Sequence, residues 1–275
     1  MSGHVAAIFR HPVKGFTPEP LGHVDLAPGE GFPGDRLWAV ENGPSGFDPE
    51  APQWTPKKMF TVLAAIPKVA AARTRYDDAS GLLTATAEGR PAFAGRLAEP
   101  EARDGFAAWL TDFLDPDDIR GPLKVVDARG GFRFTDHPLG QVSVINLASV
   151  RDLSRKMGVE LDPLRFRGNL YVEGWEPWAE NDWLDRELML GWAKASVFSR
   201  IRRCAATEVD PTTAVRDLEV PKALFDHYGH MDCGIYIRMT TAGRVSLGDA
   251  ITAPLLRPDA GRREVLRSPE GSEGG

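Results

Sequence analysis

Arg200-Ile201-Arg202-Arg203-Cys204-Ala205-Ala206-Thr207-Glu208-Val209-Asp210-Pro211 holds one of the chain's two cysteines, with three arginines inside four residues of its thiol. Cationic neighbours favour thiolate over thiol, and the thiolate is the form that attacks electrophiles and binds soft metals. The stretch enters from a β-like run at 195–201 and continues as a β-favouring run at 205–209 before an Asp-Pro turn. A small side chain packed at a strand end, its arginines in solvent, has the same local sequence, because free cysteine is among the most buried residue types. The surrounding chain has to separate a reactive thiol from a packed one.

At 275 residues the chain can bury a sizeable core as one large or two modest domains. Hydrophobic residues make up 42% and charged residues 26%, the balance of a soluble globular protein. A net charge of −6 argues against broad nucleic-acid or acidic-membrane binding, since both need a basic face. Cys204 and Cys233 cannot supply a disulfide framework, a CxxC zinc pair or a four-cysteine iron–sulfur pattern. A single Cys204–Cys233 disulfide is formally open, and a reducing cytosol disfavours it. Residues 1–15 lack the continuous apolar core of a signal peptide, and no run reaches the ~20 apolar residues of a membrane helix. The expectation is a cytoplasmic protein with neither a membrane nor a nucleic-acid partner.

Outward from Cys204, short β-like runs punctuated by Gly, Pro and Asp dominate: 5–9, 21–26, 37–40, 73–78, 82–87, 123–126, 141–145, 170–172, 188–191, 234–239, 244–247 and 249–252. Helical spacing predicts three helices. In 101–114, Phe106, Trp109, Leu110, Phe113 and Leu114 share a face, and Asp115-Pro116 stops it. Asn146 or Ser149 caps a second helix that Gly158 ends, and Pro221 opens a third that Gly229 ends. The fold class is mainly β with flanking helices (α+β). The Gly- and Pro-rich segment 43–58 reads either as a lid, with Phe47 and Trp54 over a pocket, or as a solvated excursion. The irregular connection at 130–138 suggests a division into units 1–128 and 129–256, and 257–275 reads as a disordered polar tail.

Four separated segments pair a conformationally special residue with a cation: Pro12-Val13-Lys14-Gly15, Gly34-Asp35-Arg36, Phe166-Arg167-Gly168-Asn169 and Arg202-Arg203-Cys204. Each sits at one end of a predicted strand, and strand-end loops of a β-rich fold gather at one rim. Several cations and one thiolate there form a site for an anionic ligand with a soft metal centre. Singly, the segments are weak: Lys14 is by default a surface lysine, Asp35-Arg36 a local ion pair, Arg167 solvated and Asn169 a turn residue. His11 reads as surface, and Glu180 with Asp182 as turn or cap formers.

As an ordered set these segments resemble the MOSC superfamily in its two-part form, whose members include the amidoxime-reducing molybdenum enzymes. Phe9-Arg10-His11-Pro12-Val13-Lys14-Gly15 looks like the family's YPVKS opening. Gly34-Asp35-Arg36-Leu37-Trp38, Phe132-Arg133-Phe134-Thr135-Asp136, Arg165-Phe166-Arg167-Gly168-Asn169, Ala179-Glu180-Asn181-Asp182-Trp183, Arg203-Cys204 with Val209-Asp210-Pro211, and Val245-Ser246-Leu247-Gly248-Asp249 follow in the family's order across residues 4–254. The resemblance implies a MOSC β-barrel domain at 129–256 behind an N-terminal β-barrel-like domain at 1–128. It implies that Cys204 ligates the molybdenum of a pterin cofactor (Mo-molybdopterin), and that Asp210 orients groups beside it. It assigns Lys14, Gly15, Arg36, Lys57, Asn146, Arg167, Asn169, Arg202 and Arg203 to cofactor binding. At superfamily level it also carries pyridoxal phosphate binding.

Three departures stand out. Gly15 replaces the family's serine, Gly168 replaces the usual proline, and Thr55-Pro56-Lys57-Lys58 stands where relatives often have Thr-x-Arg. The activity implied is two-electron reduction of small N-hydroxylated compounds. Electrons would come from a separate ferredoxin-, flavin- or cytochrome-type donor, because this chain has no iron–sulfur cysteine cluster. A cofactor or persulfide carrier without turnover is the alternative. A plain thiol enzyme ranks last, for want of a neighbouring base or resolving cysteine.

Overall fold

The computed structural model describes residues 2–128, 130–139 and 142–253. The tail expected at 257–275 lies outside the described residues, as does Gln141, the first residue of one predicted strand.

In chain order the strands are β1 (Ser2–Arg10), β2 (Glu19–Leu21), β3 (His23–Leu26), β4 (Ala39–Asn42), β5 (Arg73–Asp77), β6 (Leu82–Thr86), β7 (Phe93–Arg96) and β8 (Leu123–Val126). They continue as β9 (Val142–Asn146), β10 (Leu170–Glu173), β11 (Glu187–Leu190), β12 (Ala193–Arg202), β13 (Asp232–Met239), β14 (Gly243–Ser246) and β15 (Ala250–Thr252). The helices are α1 (Pro100–Phe113), α2 (Leu147–Met157) and α3 (Val220–Tyr228), within two residues of the expected bounds.

Seven strands close a barrel in the order β1-β10-β9-β13-β12-β11-β15 and back to β1, with β2 attached outside β1. All barrel pairs are antiparallel except β9 with β10. Inward residues such as Val144, Leu170, Val172, Val197, Ile235 and Ile251 fill it. On β1 the inward positions are Val5 and Ile8, three apart, because a bulge between Val5 and Ala7 shifts the two-residue alternation.

The first strand belongs to this barrel, and β3 pairs with β14, so the two ends of the chain are built into one another. Most of the intervening residues form a second core. Here β4 pairs with β8, β5-β6-β7 make a three-stranded sheet, and α1 lays Phe106, Leu110 and Phe113 against Phe16, Leu83 and Leu97. Helix α1 starts at Pro100, whose missing N–H costs nothing in the first turn, and ends before Asp115-Pro116.

Two local expectations are corrected. The run 205–209 is a 3-10 turn, Ala205–Glu208, and not a strand. The Cys204 carbonyl accepts both the Thr207 N–H (3.0 Å) and the Thr207 hydroxyl (2.9 Å), closing the turn that β propensity would have left open. The strand expected at 37–40 starts at Ala39, because the left-handed Arg36 (φ +50°) turns the chain just before it.

One end of the barrel gathers the strand-end segments. Arg36 N–H donates to His11 O, Lys14 N–H to Trp38 O, Phe134 N–H to Arg36 O, Phe9 N–H to Asn169 O and Asn169 N–H to Ser143 O. Residues 9–14, 34–38, 134 and 169 are thus laced together by backbone bonds alone.

Candidate functional site

A cavity of about 360 Å³ opens at that end, the size range of small-molecule sites. Lys14, Gly15, Arg36, Lys57, Arg167, Asn169, Arg202, Arg203 and Cys204 all line it. Two expected site residues do not. Asn146 is fully buried, caps α2 by accepting the Ala148 N–H at 3.0 Å, and donates to the Glu176 carbonyl and the Glu180 carboxylate. Its amide is fully occupied away from the cavity, so the cofactor role is corrected to a cap. Asp210 accepts Thr212 and Thr213 N–H groups and the Arg165 guanidinium at 2.9 Å. It bears on the site only through Arg165, which does line the cavity.

Eight lysines and arginines face one carboxylate, Asp136. Lys14 is buried, not a surface lysine, and donates to the Phe134 carbonyl at 2.9 Å and to Asp136 at 2.5 Å. Burial lowers its pKa, against the pull of Asp136. Lys57 Nζ reaches Asp136 at 3.4 Å and Cys204 Sγ at 3.0 Å. Burial opposes its charge, but Asp136 and Cys204 outweigh that and raise its pKa. For Asp136 burial would favour the neutral acid, yet Lys14 and Lys57 hold its carboxyl well below the usual range.

Arg36 and Arg167 both sit at φ +50°, a left-handed conformation that costs a non-glycine residue roughly 1 kcal/mol. The two lock together: Arg36 donates to Asp35 and to the Arg167 carbonyl, and Arg167 donates to the Phe16 carbonyl at 2.9 Å. Burial, then the neighbouring Arg36 charge, lowers the Arg167 pKa to about 10. Strained arginines turned into one cavity are a site feature, not a packing solution. Arg203 is buried and donates to the Cys233 and Phe166 carbonyls, which fixes the loop presenting Cys204. Cys204 is half-buried at the cavity wall, while Cys233 is fully buried, its thiol pushed up to about 12 by burial.

His11 departs from its expected surface position. It is fully buried, its ring Nε2 lies 3.3 Å from the Gly168 carbonyl, and its Nδ1 has no partner. Burial, and then Arg167 and Arg36, hold it neutral, well below the usual histidine range. It braces the 167–169 arm from behind.

The departures at Gly15 and Gly168 have physical causes. Gly15 has φ +91°, and a Cβ there would meet the Thr61 carbonyl at 2.7 Å, so serine does not fit this backbone. A Cβ on Gly168 would meet Ile145 Cγ1 at 2.4 Å, and the Gly168 N–H donates to the Tyr171 hydroxyl at 3.0 Å, a bond proline cannot make.

Sequence reasoning missed Asp136, Arg165 and Tyr236 as cavity residues. Asp136 and Arg165 lie inside quoted motifs, so their positions were visible and only their charge partners were not. Tyr236 carried no local signal. The segment 43–58 packs Phe47 on Phe132 and Phe134, leaves Trp54 exposed and delivers Lys57 to the thiol. Among the described residues no group of three or more His, Cys, Asp or Glu is arranged to hold a bare metal ion, and no helix is long and apolar enough to cross a membrane.

Residues 132–252 match the MOSC domain, and residues 2–117 match the MOSC N-terminal beta barrel domain. The chain belongs to the MOSC family. Among curated relatives it is 26% identical over 172 residues to mitochondrial amidoxime reducing component 2 of Bos taurus, covering 54% of this chain and 51% of that one. It is 25% identical over 183 residues to mitochondrial amidoxime-reducing component 1 of Homo sapiens, covering 56% and 53%. A molybdenum cofactor sulfurase of Anopheles gambiae is 33% identical over 111 residues, covering 36% of this chain and 14% of that one. The chain spans about half the length of the amidoxime-reducing relatives it matches. Among solved structures, the YUAD protein from Bacillus subtilis aligns over 91% of this chain and 94% of its own, at 13% identity and TM-score 0.43.

The residues fit a molybdenum–pterin group. A thiol faces a cavity of small-molecule size, and cations from five chain segments converge on the same space with one carboxylate among them. A thiolate suits a soft, high-valent metal, and guanidinium forks suit phosphate.

Proposed function

We propose that this MOSC protein binds molybdenum cofactor and reduces small N-hydroxylated compounds. One observation carries the reading: Lys14, Arg36, Arg167 and Cys204, distant in sequence, line one cavity. Cys204 is the residue to ligate the metal, and it must be a thiolate to do so. Lys57 Nζ lies 3.0 Å from its sulfur, placed to hydrogen-bond it. Arg36 and Arg167 are the anion-binding forks, with Lys14, Asn169 and the Arg202-Arg203 backbone in support. When bound, the cofactor supplies a redox centre able to remove oxygen from the substrate in a two-electron step. Lys57 sits at the cavity surface where a proton for the departing oxygen can be held, and the Asp136 carboxylate positions its ammonium. Electrons come from a separate ferredoxin-, flavin- or cytochrome-type protein, as the chain carries only two cysteines.

The second reading is a carrier of cofactor or of sulfur as a persulfide on Cys204. The similarity to a molybdenum cofactor sulfurase favours it. Metal analysis of protein made in a cofactor-competent host, followed by benzamidoxime turnover with a chemical reductant, separates the two. The reductase binds molybdenum and turns over, and Cys204→Ala abolishes turnover. Bound molybdenum without turnover supports the carrier, and a wild-type protein without molybdenum overturns the cofactor reading.

A further inference from the structure

Arg202 stands apart from the other cations of the cavity. It lines the wall, is exposed, and its side chain makes no hydrogen bond or ion pair among the described residues. Its neighbours are committed. Arg203 serves backbone carbonyls, Arg165 is paired with Asp210 and Asp217, and Lys14 and Lys57 share Asp136. The cofactor reading uses the Arg202 backbone and leaves its side chain unassigned.

Position makes that side chain informative. Arg202 ends β12, and Cys204 two residues on is still extended (φ −136°, ψ 178°). Arg202 and Cys204 both border the cavity, and Arg203 between them is buried with its guanidinium on the Cys233 and Phe166 carbonyls. The two residues therefore border the same cavity, with Cα atoms roughly 7 Å apart. An unpaired guanidinium among like charges is electrostatically unfavourable until an anion arrives.

We propose that Arg202 is a specificity residue that selects substrates carrying a carboxylate beside the reducible N–O group. The inference deepens the reductase reading and rests on it. Lys14, Arg36 and Arg167 answer the negative charge of the cofactor. Arg202, on the thiol side, answers that of the substrate through a bidentate fork.

Isothermal titration of the cofactor-loaded protein, without electron donor, tests this with three probes: benzamidoxime, 4-carboxybenzamidoxime and benzoate. The expected result is about tenfold tighter binding of 4-carboxybenzamidoxime than of benzamidoxime, the size of one charge-assisted hydrogen bond. Compared at equal molybdenum occupancy, Arg202→Gln removes most of that difference between the two amidoximes, and Arg202→Lys keeps part of it. Equal affinity for the two amidoximes, or a preference that survives Arg202→Gln, overturns the inference. Benzoate separates the two levels. If benzoate binds through Arg202 while benzamidoxime does not bind, the anion preference stands and the N-hydroxy reading falls. If benzamidoxime binds as well as its carboxylated form, the N-hydroxy reading stands and the Arg202 inference falls.

Discussion

Lys57 Nζ lies 3.0 Å from Cys204 Sγ, although 147 positions separate the two residues in sequence. The ammonium arrives from the end of a long irregular segment and the thiol from the end of a barrel strand. The contact joins the two cores of the molecule at the cavity, and it supplies the cation that the local Arg202-Arg203 pair does not.

Lys57→Gln removes the ammonium hydrogen-bonded to the Cys204 sulfur and should therefore slow its alkylation by iodoacetamide about tenfold. Mass spectrometry of cofactor-free protein reads this site by site. Cys233 serves as the internal control, since burial keeps its thiol protonated and out of reach. An unchanged Cys204 rate would mean that the ammonium does not act on the sulfur.

The glycines that depart from the family pattern should resist reversion. Gly15→Ser forces a side chain onto a φ of +91° against the Thr61 carbonyl, and should destabilise by about 1–3 kcal/mol. Gly168→Pro removes the N–H that Tyr171 accepts and collides with Ile145, and should cost about as much. Urea midpoints measure both. Ile145→Ala should restore part of the Gly168→Pro loss, because it removes the collision and leaves the missing donor.

Much of this site was legible from its pieces. The four cation-bearing segments were visible because each couples a cation to glycine, proline or a strand end, and the fold brings all four to one rim. The barrel was legible from short alternating strands, but not its closure by β1, which depends on pairing between residues far apart in sequence. His11 was misplaced because polarity predicts exposure, and only the surrounding arms show that it is enclosed. Asn146 was assigned to the cofactor by pattern while its local sequence already marked a helix cap. Asp136 lies within a recognisable segment, but nothing local tells that Lys14 and Lys57 converge on it.

Arg165 fixes the turn behind Cys204. Its side chain is 3% exposed and reaches Asp217, Asp210 and the Glu208 carbonyl at 2.8–3.1 Å. Arg165→Met removes the buried fork from two part-exposed carboxylates and should destabilise by about 1–2 kcal/mol. Arg165→Lys keeps the charge but not the fork, and should recover only part of the loss. Thermal denaturation ranks the three proteins. Full recovery by lysine would show that charge alone matters here.

His11 sets an acid limit on the arm that carries Arg167. Its folded pKa lies well below the usual value, first through burial and then through Arg167 and Arg36. The unfolded chain therefore binds more protons than the folded one between the folded pKa and about pH 6.5. The stabilisation is complete above that pH and is lost as pH falls toward the folded pKa, with a slope of up to about 1.4 kcal/mol per pH unit from this one group. Protonation also places a third cation beside two arginines, with only the Gly168 carbonyl to receive it. Urea midpoints of wild type should fall between pH about 6.5 and about 5, and His11→Gln, which keeps a donor for Gly168 and cannot charge, should flatten that fall. A His11→Gln curve parallel to wild type across the window would place the acid-sensitive group elsewhere.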